Sequence, residues 1–344
     1  MSTYEFSSEE VDKMLSIMKK RGYILSAVRP NTKQSVLIED FLSEFWDYEK
    51  SPYVKEKQIV GQSIHLRYVR TMQQRAKAYW LPLFGNRPLG SITREDIKKA
   101  MWTFATKKQK VRTRKKDALG NWIYVYKNIS AETVNQVVRS ATCALKWAYH
   151  NGLTKNDCFS GLIYCHVVPE KRKILSMRQA KRVFAYDWKN KAYMLANLTA
   201  MFTGMRIGEV QALQIQDIGK DRIYIRHNWA RFDGLKTPKN GDRREIKIPK
   251  MLREMLLEQA YRNPYGTEKN DFVFWGYCRS VPCGARHFNE ALHEVTKQLG
   301  IKDWKKITFH GWRHFFTANM ADHVDERKLQ LATGHKTLEI LEHY

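Results

Sequence analysis

Cationic side chains and a tyrosine occur in short motifs of the C-terminal half of the chain. Arg206 lies in the segment TGMRIGE, and His310 and Arg313 lie in FHGWRHFF. His335 directly follows a glycine and lies nine residues before Tyr344. Guanidinium groups bind anionic oxygens through paired hydrogen bonds, and an imidazole can hold or transfer a proton. These residue types predict an anion site.

Each motif alone also has a structural explanation. Glu209 lies three positions after Arg206, so an ordinary ion pair would account for that arginine. His310 and Arg313 share one face if their segment is helical, but a lone H-x-x-R spacing is a weak motif. The chain has 11 histidines and 17 tyrosines, and chance then supplies roughly half a His–Tyr pair at any chosen spacing. No single motif therefore decides the function.

The composition indicates a folded protein that binds a polyanion. The chain has 344 residues, with 60 lysines plus arginines and 35 aspartates plus glutamates, which give a net charge of +25. Hydrophobic residues make up 43% and aromatic residues 12%, which is too much for a disordered basic tail. At the usual domain size of about 150 residues, the length predicts two or three folding units.

Secretion, membrane insertion and a structural zinc site are all disfavoured by the sequence. The N-terminal segment lacks the apolar core of a signal peptide, and no run of about 18 apolar residues occurs. The five cysteines contain no C-x-x-C pair, so neither a disulfide framework nor a zinc site is expected. We expect reduced thiols in the cytoplasm.

Apolar residues recur at three- and four-residue intervals in four segments of the N-terminal half, as a buried helical face requires. Thr93 and Asp96 resemble a capping box that opens the third segment, and Pro82 with Gly85 should end the second. The patterns predict one all-helical domain of four helices, at 35–48, 63–80, 93–104 and 131–149.

A strongly basic segment separates the third and fourth predicted helices. Seven of the ten residues at 107–116 are lysine or arginine, and a strand-like pattern follows at 122–126. A run of charges is often only a solvated surface, and that explanation stays open. In so basic a chain, the run is also a candidate for contacts to phosphates. The residues concerned are Lys107, Lys108, Lys110, Arg112, Arg114, Lys115 and Lys116.

The residues from Ser176 onward predict a second domain, mostly helical with a small sheet. Ser176 would cap the first helix of this domain. Apolar and polar residues alternate at 222–226 and 244–249, which predicts two paired strands with turns at Asp233-Gly234 and Asn240-Gly241 between them. The predicted fold class is therefore mainly α with a small antiparallel β-sheet, an α+β class.

The order and spacing of all the motifs are those seen in tyrosine recombinases. From about residue 33 onward, the sequence resembles the phage integrase branch of that family. The resemblance implies a helical, SAM-like core-binding domain and a catalytic domain that together form a C-shaped clamp on DNA. Five motifs carry it, namely Arg206 in TGMRIGE, Lys236 in LKTPKNGDRR, His310 with Arg313, the Gly-His pair at His335, and Tyr344.

The resemblance implies strand cleavage by a tyrosine without metal or ATP. Tyr344 would attack phosphorus, which gives a 3′-phosphotyrosine and a free 5′-hydroxyl. Arg206 and Arg313 would hold the non-bridging oxygens, while His310 and His335 add hydrogen bonds and help to manage the tyrosine proton. No cofactor is expected, because cationic side chains replace a metal and the phosphotyrosyl ester keeps the bond energy for rejoining.

The same resemblance assigns a general acid and a supporting acidic residue. Lys236 would protonate the leaving 5′ oxygen, with Lys239 and Lys220 as alternative amines within reach. Glu209 would support the arginine corner. Two further basic residues, expected at the DNA backbone or flanking a strand, are Arg243 and Arg244.

The resemblance also predicts the domains, the partner and the location of the protein. Residues 1–32 would be an extension of open role, 33–166 the core DNA-binding domain, 167–175 the linker and 176–344 the catalytic domain. The expected partner is double-stranded DNA at attachment sites, and no membrane is expected to take part. The protein should be a monomer in solution and a tetramer on DNA. DNA-bending accessory proteins and a cytoplasmic setting in a bacterial host are expected too.

Two other functions stay open at this point. A type IB topoisomerase shares the nucleophile chemistry but relaxes supercoils without site specificity. A catalytically silent relative of integrases would bind specific sites without forming a covalent adduct. Family members usually continue past the nucleophile, whereas Tyr344 is the last residue here. We therefore expect either a shortened chain or protomers that couple by another route.

Overall fold

The protein forms two compact units, Met1–Pro169 and Glu170–Tyr344. The structure, a computed structural model, describes residues 36–168, 173–238 and 243–321, without the side chain of Arg114. Each unit has a hydrophobic core of its own. The predicted domain ranges stay a prediction. Within the described ranges, no helix is both long enough and apolar enough to cross a membrane.

Helices make up most of the first unit within its described residues 36–168, and two buried tryptophans join them. The indole N–H of Trp46 donates to the carbonyl of Ser140 at 2.7 Å, and that of Trp80 donates to the carbonyl of Val137 at 2.8 Å. A buried indole N–H needs an acceptor, so these bonds fix two separate segments to one long helix. The helical elements are α1 (Ile38–Phe45), α2 (Pro52–Ile59), α3 (Leu66–Arg75), a π-helical turn (Ala76–Trp80), α4 (Leu81–Phe84), a 3₁₀ turn (Leu89–Ser91), α5 (Arg94–Thr106) and α6 (Ala131–His150).

The helices of this unit differ from the predictions in two places. The prediction of four helices missed α2, because Val54 is the one buried residue of that helix and its sequence lacks apolar periodicity. Of the two residues predicted to end the second helix, Pro82 does not end it, whereas Gly85 directly follows the last helical residue. Pro82 lies in the first turn of α4, where a missing N–H is tolerated, so helical backbone continues to Phe84. The predicted capping box at Thr93 is confirmed.

A β-hairpin lies between α5 and α6, so the expectation of an all-helical domain was wrong. Strands β1 (Lys108–Lys116) and β2 (Trp122–Asn128) pair antiparallel. The predicted strand at 122–126 is confirmed within β2. The basic run itself forms β1, which was not predicted because its charges show no apolar alternation.

In the described part of the second unit, helices surround three short antiparallel pairs of strands. Strand β3 pairs with β6, β4 with β5, and β7 with β8. The elements are α7 (Met177–Ala185), α8 (Lys191–Thr203), α9 (Ile207–Gln211), a 3₁₀ turn (Ile215–Asp217), β3 (Arg222–Ile225), β4 (Asn228–Ala230), β5 (Gly234–Lys236), β6 (Arg244–Lys247), α10 (Lys250–Tyr261), β7 (Trp275–Cys278), β8 (Val281–Pro282), α11 (Ala285–Gln298), a 3₁₀ turn (Trp304–Lys306) and α12 (Gly311–Ala321).

Local signals in the sequence account for how several of these elements begin and pair. The hydroxyl of Ser176 accepts a hydrogen bond from the Gln179 N–H at 3.3 Å, so the predicted cap of α7 is confirmed. Ile223 lies opposite Ile246, and both are buried, as the alternating pattern of β3 and β6 predicts. The β4–β5 hairpin between them was not predicted. The fold class, mainly helical with small antiparallel sheets, is confirmed.

Candidate active site

Gly204 forms the corner between α8 and α9. Its φ of 63° is in the left-handed region, which glycine adopts without a Cβ penalty. A Cβ atom at this position would lie 2.6 Å from Cδ1 of Phe316 in α12. Helix α12 can therefore approach the corner this closely because residue 204 has no side chain.

Arg313 in α12 binds the same corner. Its side chain is almost fully buried, and Nη1 donates to the Gly204 carbonyl at 3.0 Å. The neighbouring Trp312 fixes α12 to α8, because its indole N–H donates to Oδ1 of Asn197 at 2.8 Å. Since Arg206 follows Gly204 by two residues, the fold brings the two arginines of the predicted anion site to one corner.

Glu209 forms ion pairs with two arginines. Nη1 of Arg206 donates to Oε1 of Glu209 at 2.9 Å, and the Arg206 backbone N–H donates to Oε2 at 2.8 Å. Arg244 donates to the same two oxygens, at 3.1 Å from Nη1 and 2.6 Å from Nη2. The Glu209 side chain is 0% exposed, that of Arg244 7% and that of Arg206 21%. One buried carboxylate thus orients both guanidinium groups and leaves Arg206 the more open of the two.

The pairing of Arg244 differs from the expected contact with the DNA backbone. Its guanidinium faces Glu209 inside the unit, whereas its neighbour Arg243 is exposed. Arg244 begins β6, in keeping with the expectation that it flanks a strand. Sequence reasoning missed the pair with Glu209, because 35 positions separate the two residues and no local pattern connects them.

The charge of Glu209 is stabilised despite its burial. Burial by itself raises the pKa of this carboxyl, but the charges and hydrogen bonds of Arg244 and Arg206 outweigh that effect. The pKa of Glu209 is therefore held below its usual value. A carboxylate that stays ionised keeps both arginines in place.

Strand β5 places Lys236 beside the same corner. Lys236 lies opposite Asn228 of β4. A Cβ atom on Gly208 would lie 2.4 Å from Oδ1 of Asn228, so β4 packs directly on α9, two residues beyond Arg206. The Lys236 ammonium donates to Oδ2 of Asp233 at 3.1 Å. This partner was missed, although a spacing of three residues around a tight turn could have indicated it.

Of the remaining predicted site residues, two lie next to α12 and β3, and three lie outside the described ranges. His310 immediately precedes α12, is exposed, and meets the His314 ring edge-on at a centroid distance of 5.0 Å. The Arg313 N–H donates to the His310 carbonyl at 3.1 Å, so both belong to the first turn of that helix. Lys220 is exposed just before β3. The residues that lie outside the described ranges are His335, Tyr344 and the alternative lysine Lys239.

The arrangement suits an anion better than a metal ion. Arg206 and Arg313 bring guanidinium donors to one corner with Lys236 beside it, and the carboxylates of Glu209 and Asp233 are the partners of Arg206 and Lys236. In the part of the chain that the structure describes, no group of three or more His, Cys, Asp or Glu side chains could hold a metal.

Comparison with known proteins assigns the family. Residues 173–344, half of the chain, match the model of the phage integrase family. This chain belongs to the phage integrase family. The integrase of Staphylococcus phage L54a is 27% identical to it over 152 residues, which are 39% of this chain and 42% of that integrase. The aligned region thus spans less than half of this relative. The resemblance to phage integrases predicted from the motifs is confirmed.

Solved structures of other integrases have a similar fold. The Tn1549 transposon integrase in complex with a circular intermediate DNA matches this chain with a TM-score of 0.64 at 17% identity, over 85% of this chain and 93% of that chain. A lambda integrase tetramer bound to a Holliday junction matches with a TM-score of 0.61 at 14% identity, over 98% of this chain and 90% of that chain. At these identities, the likeness concerns the fold.

Proposed function

We propose that this member of the phage integrase family is a site-specific recombinase that integrates or excises a mobile element or prophage. It cuts and rejoins DNA strands through a 3′-phosphotyrosine. The observation that carries the proposal is the corner at Gly204, whose carbonyl binds Arg313 and which Arg206 follows by two residues. Two guanidinium groups at one corner suit the non-bridging oxygens of a phosphodiester.

Cleavage exchanges one phosphate ester for another. Oη of Tyr344 attacks phosphorus, and the bond from phosphorus to the 5′ oxygen breaks as the new P–O bond forms. The phenolic proton passes to His310 or His335, and Lys236 gives a proton to the leaving 5′ oxygen. The two arginines stabilise the extra negative charge on the non-bridging oxygens. Attack of a 5′-hydroxyl from another strand reverses these steps and rejoins the DNA.

The proposed reaction uses neither metal nor ATP. Cationic side chains supply the charge stabilisation for which other phosphoryl-transfer enzymes use metal ions. The phosphotyrosyl ester replaces one phosphate ester bond by another of similar energy. Rejoining can therefore follow cleavage without an external energy source.

The proposed substrate is double-stranded DNA at the attachment sites of the element. A net charge of +25 favours association with such a polyanion. Since a lambda integrase tetramer binds a Holliday junction, we infer a tetramer on DNA, and the monomer in solution stays a prediction from the sequence. DNA-bending accessory proteins would assist assembly in the bacterial cytoplasm.

Trapping of the covalent intermediate tests the proposal. The full chain is incubated in EDTA with nicked duplexes taken from the ends of the element that encodes the gene. We expect an SDS-resistant adduct, attached through a 3′-phosphate and mapped to Tyr344 by peptide sequencing. Shuffled duplexes of the same composition should give little adduct. An adduct that requires added Mg²⁺, or that maps to another residue, would contradict the mechanism.

Two further assays, relaxation of supercoiled plasmids and binding to the ends of the element, separate the two alternatives. Relaxation of any supercoiled plasmid, without preference for the element's ends, would favour a type IB topoisomerase. Site-specific binding without an adduct would favour a catalytically silent relative.

Replacing Lys236 with alanine should slow cleavage of ordinary DNA by about 10²- to 10⁴-fold, as expected for the loss of a general acid. A 5′-bridging sulfur in place of the leaving oxygen should restore most of the rate. A thiolate leaves without a proton, because its conjugate acid has a pKa of about 8.5. Single-turnover rates on both substrates measure the effect.

Two other lysines provide matched controls for this prediction. Lys220→Ala and Lys239→Ala should cleave both substrates at rates near that of the wild type. If either variant shows the sulfur-rescued defect and Lys236→Ala does not, the general acid is that lysine.

A further inference from the structure

Asp217 is a buried carboxylate that takes no part in the proposed mechanism. It ends the 3₁₀ turn Ile215–Asp217 and is 1% exposed. Its Oδ2 accepts the backbone N–H of Gln214 at 3.1 Å, which closes the turn. Two further contacts lead away from the turn, to the two residues that separate β3 from β4.

Those two residues, Arg226 and His227, both face the carboxylate. Nη1 of Arg226 donates to Oδ1 of Asp217 at 3.3 Å, and the guanidinium carbon lies 4.8 Å from the ring centroid of Tyr224. Nδ1 of His227 lies 3.9 Å from Oδ2, too far for a hydrogen bond. This nitrogen is buried and has no hydrogen-bond partner among the described residues. One carboxylate thus faces both residues at the point where the chain leaves β3 and enters β4.

These contacts lie at the base of the hairpin that holds Lys236. Asn228 follows His227 directly and is the first residue of β4. It lies opposite Lys236 in the antiparallel pair of β4 and β5, in which the Cα atoms of opposite residues are about 4.5–5.5 Å apart. A shift of the backbone at His227 is therefore passed to Lys236 across a single pair of residues.

An aromatic contact ties β4 to the same turn. Trp229 packs edge-on against Phe272 at a centroid distance of 5.8 Å, and the backbone of Phe272 forms a β-bridge with that of Gln214. A single contact point would leave the strand free to tilt about it. The polar contacts of Asp217 at the start of β4 supply a second point and so set the direction of the strand.

The ionised form of Asp217 costs folding free energy. Burial raises the pKa of this carboxyl, and the Gln214 N–H, His227 and Arg226 lower it by less than burial raises it. A pKa above the usual value means that the ionised form is less favourable in the folded than in the unfolded chain. The carboxylate is therefore better explained by the position that it gives to its neighbours than by a gain in stability.

We propose that Asp217 is a positioning residue for Lys236. Through Arg226 and His227, it fixes the direction in which the chain enters β4. Because β4 pairs with β5, it thereby places the ammonium of Lys236 relative to the corner at Gly204. A general acid must come within about 2.6–3.2 Å of the atom that receives its proton. This inference rests on the proposed function, in which Lys236 is the general acid, and adds a residue on which that acid depends.

Cleavage of two substrates by Asp217→Asn tests the proposal. Asparagine keeps the shape of the side chain and an oxygen for the Gln214 N–H, but removes the charge that Arg226 and His227 face. Single-turnover cleavage of ordinary DNA should slow by about 10- to 100-fold, the scale of loss that follows a misplacement of about 1 Å. A 5′-bridging sulfur should restore most of the rate, because a thiolate leaves without a proton. A merely structural role would slow both substrates alike.

Two further variants make the test independent of how well Asp217→Asn folds. Arg226→Met keeps the stem of a side chain that is 36% exposed, and it should show the same sulfur-rescued defect. Asp217→Asn combined with Lys236→Ala should be no slower than Lys236→Ala alone, because both changes act on one group. A double variant whose two defects multiply would overturn the proposal. Circular dichroism and melting temperature confirm that each variant is folded.

Asp221→Asn and Arg222→Met are the matched controls. These residues form the same kind of ion pair at the other end of β3, with Nε of Arg222 2.8 Å from Oδ1 of Asp221, but their side chains are 30% and 55% exposed. Both variants should cleave the two substrates at rates near those of the wild type. The proposal is overturned if Asp217→Asn slows both substrates equally, or if Asp221→Asn shows as large a sulfur-rescued defect.

Hydrogen exchange of the hairpin, followed by mass spectrometry, separates this inference from the proposed function. Backbone amides at 228–236 should exchange faster in Asp217→Asn than in the wild type, whether or not the protein cleaves DNA. If Lys236→Ala shows the sulfur-rescued defect and Asp217→Asn cleaves ordinary DNA as fast as the wild type, this inference alone is wrong. If the wild type forms no adduct, the recombinase function is wrong. Faster exchange at 228–236 would then still show that Asp217 positions the hairpin, and unchanged exchange would overturn that as well.

Discussion

Replacing Tyr344 with phenylalanine is expected to abolish the covalent DNA adduct and to leave DNA affinity nearly unchanged. The change removes one oxygen atom, the proposed nucleophile, while the arginines that would bind the phosphate remain. Without a nucleophile, charge stabilisation by the corner at Gly204 has no reaction to accelerate. SDS–gel analysis of nicked junction DNA measures the adduct, and fluorescence anisotropy measures the affinity.

An exposed tyrosine of the same unit is the control for this experiment. Tyr261 in α10 is 62% exposed, and Tyr261→Phe should form the adduct at the rate of the wild type. An adduct that persists in Tyr344→Phe would identify another nucleophile. A loss of DNA binding in Tyr344→Phe would show that the residue is structural.

Replacing Glu209 with glutamine is expected to lower the free energy of unfolding by about 3–5 kcal/mol. Glutamine keeps the shape of the side chain but removes the charge that pairs with Arg206 and Arg244, and removing one partner of a buried ion pair leaves the other charges uncompensated. Cleavage should also slow, since Arg206 loses the carboxylate that orients it. Urea unfolding of the full chain and single-turnover cleavage measure the two effects.

Glu245→Gln provides the matched control. Glu245 also pairs with an arginine, Arg222, but its side chain is 52% exposed and that of Arg222 is 30% exposed. Solvent screens such a pair, so we expect a loss of at most about 1 kcal/mol and unchanged cleavage. If Glu209→Gln unfolds at the same urea concentration as Glu245→Gln, the buried pairs do not organise this corner.

The lowered pKa of Glu209 predicts how the same contribution depends on pH. Because the pKa is lower in the folded than in the unfolded state, the stabilisation is complete above the usual carboxyl pKa of about 4.3. It is lost as the pH falls through the lower pKa of the folded state. The difference in unfolding free energy between the wild type and Glu209→Gln should therefore shrink in acid. A difference that stays constant down to strong acid would contradict this assignment.

Features that depend on neighbouring residues could be predicted without the structure. The caps at Thr93 and Ser176 and the pairing of β3 with β6 follow from side chains within a few positions and from simple alternation. The order of the motifs was sufficient to identify the integrase family. A motif shows which chemical groups occur in the sequence and in which order. Their identity and order can be known without knowing how the chain folds between them.

How those groups meet in space follows only from the folded chain. Arg313 reaches the carbonyl of Gly204 across 109 positions, and Arg244 reaches Glu209 across 35. Helix α2 and the basic strand β1 also depend on packing and pairing with distant segments rather than on their own periodicity. Local propensity acts over a few residues, whereas burial and ion pairing depend on which surfaces the folded chain brings together. For that reason the sequence predicted Arg206, Arg313 and the supporting Glu209. Only the fold showed that Glu209 is buried and also pairs with Arg244, and that the absent Cβ atom of Gly204 lets α12, with Arg313, reach the same corner.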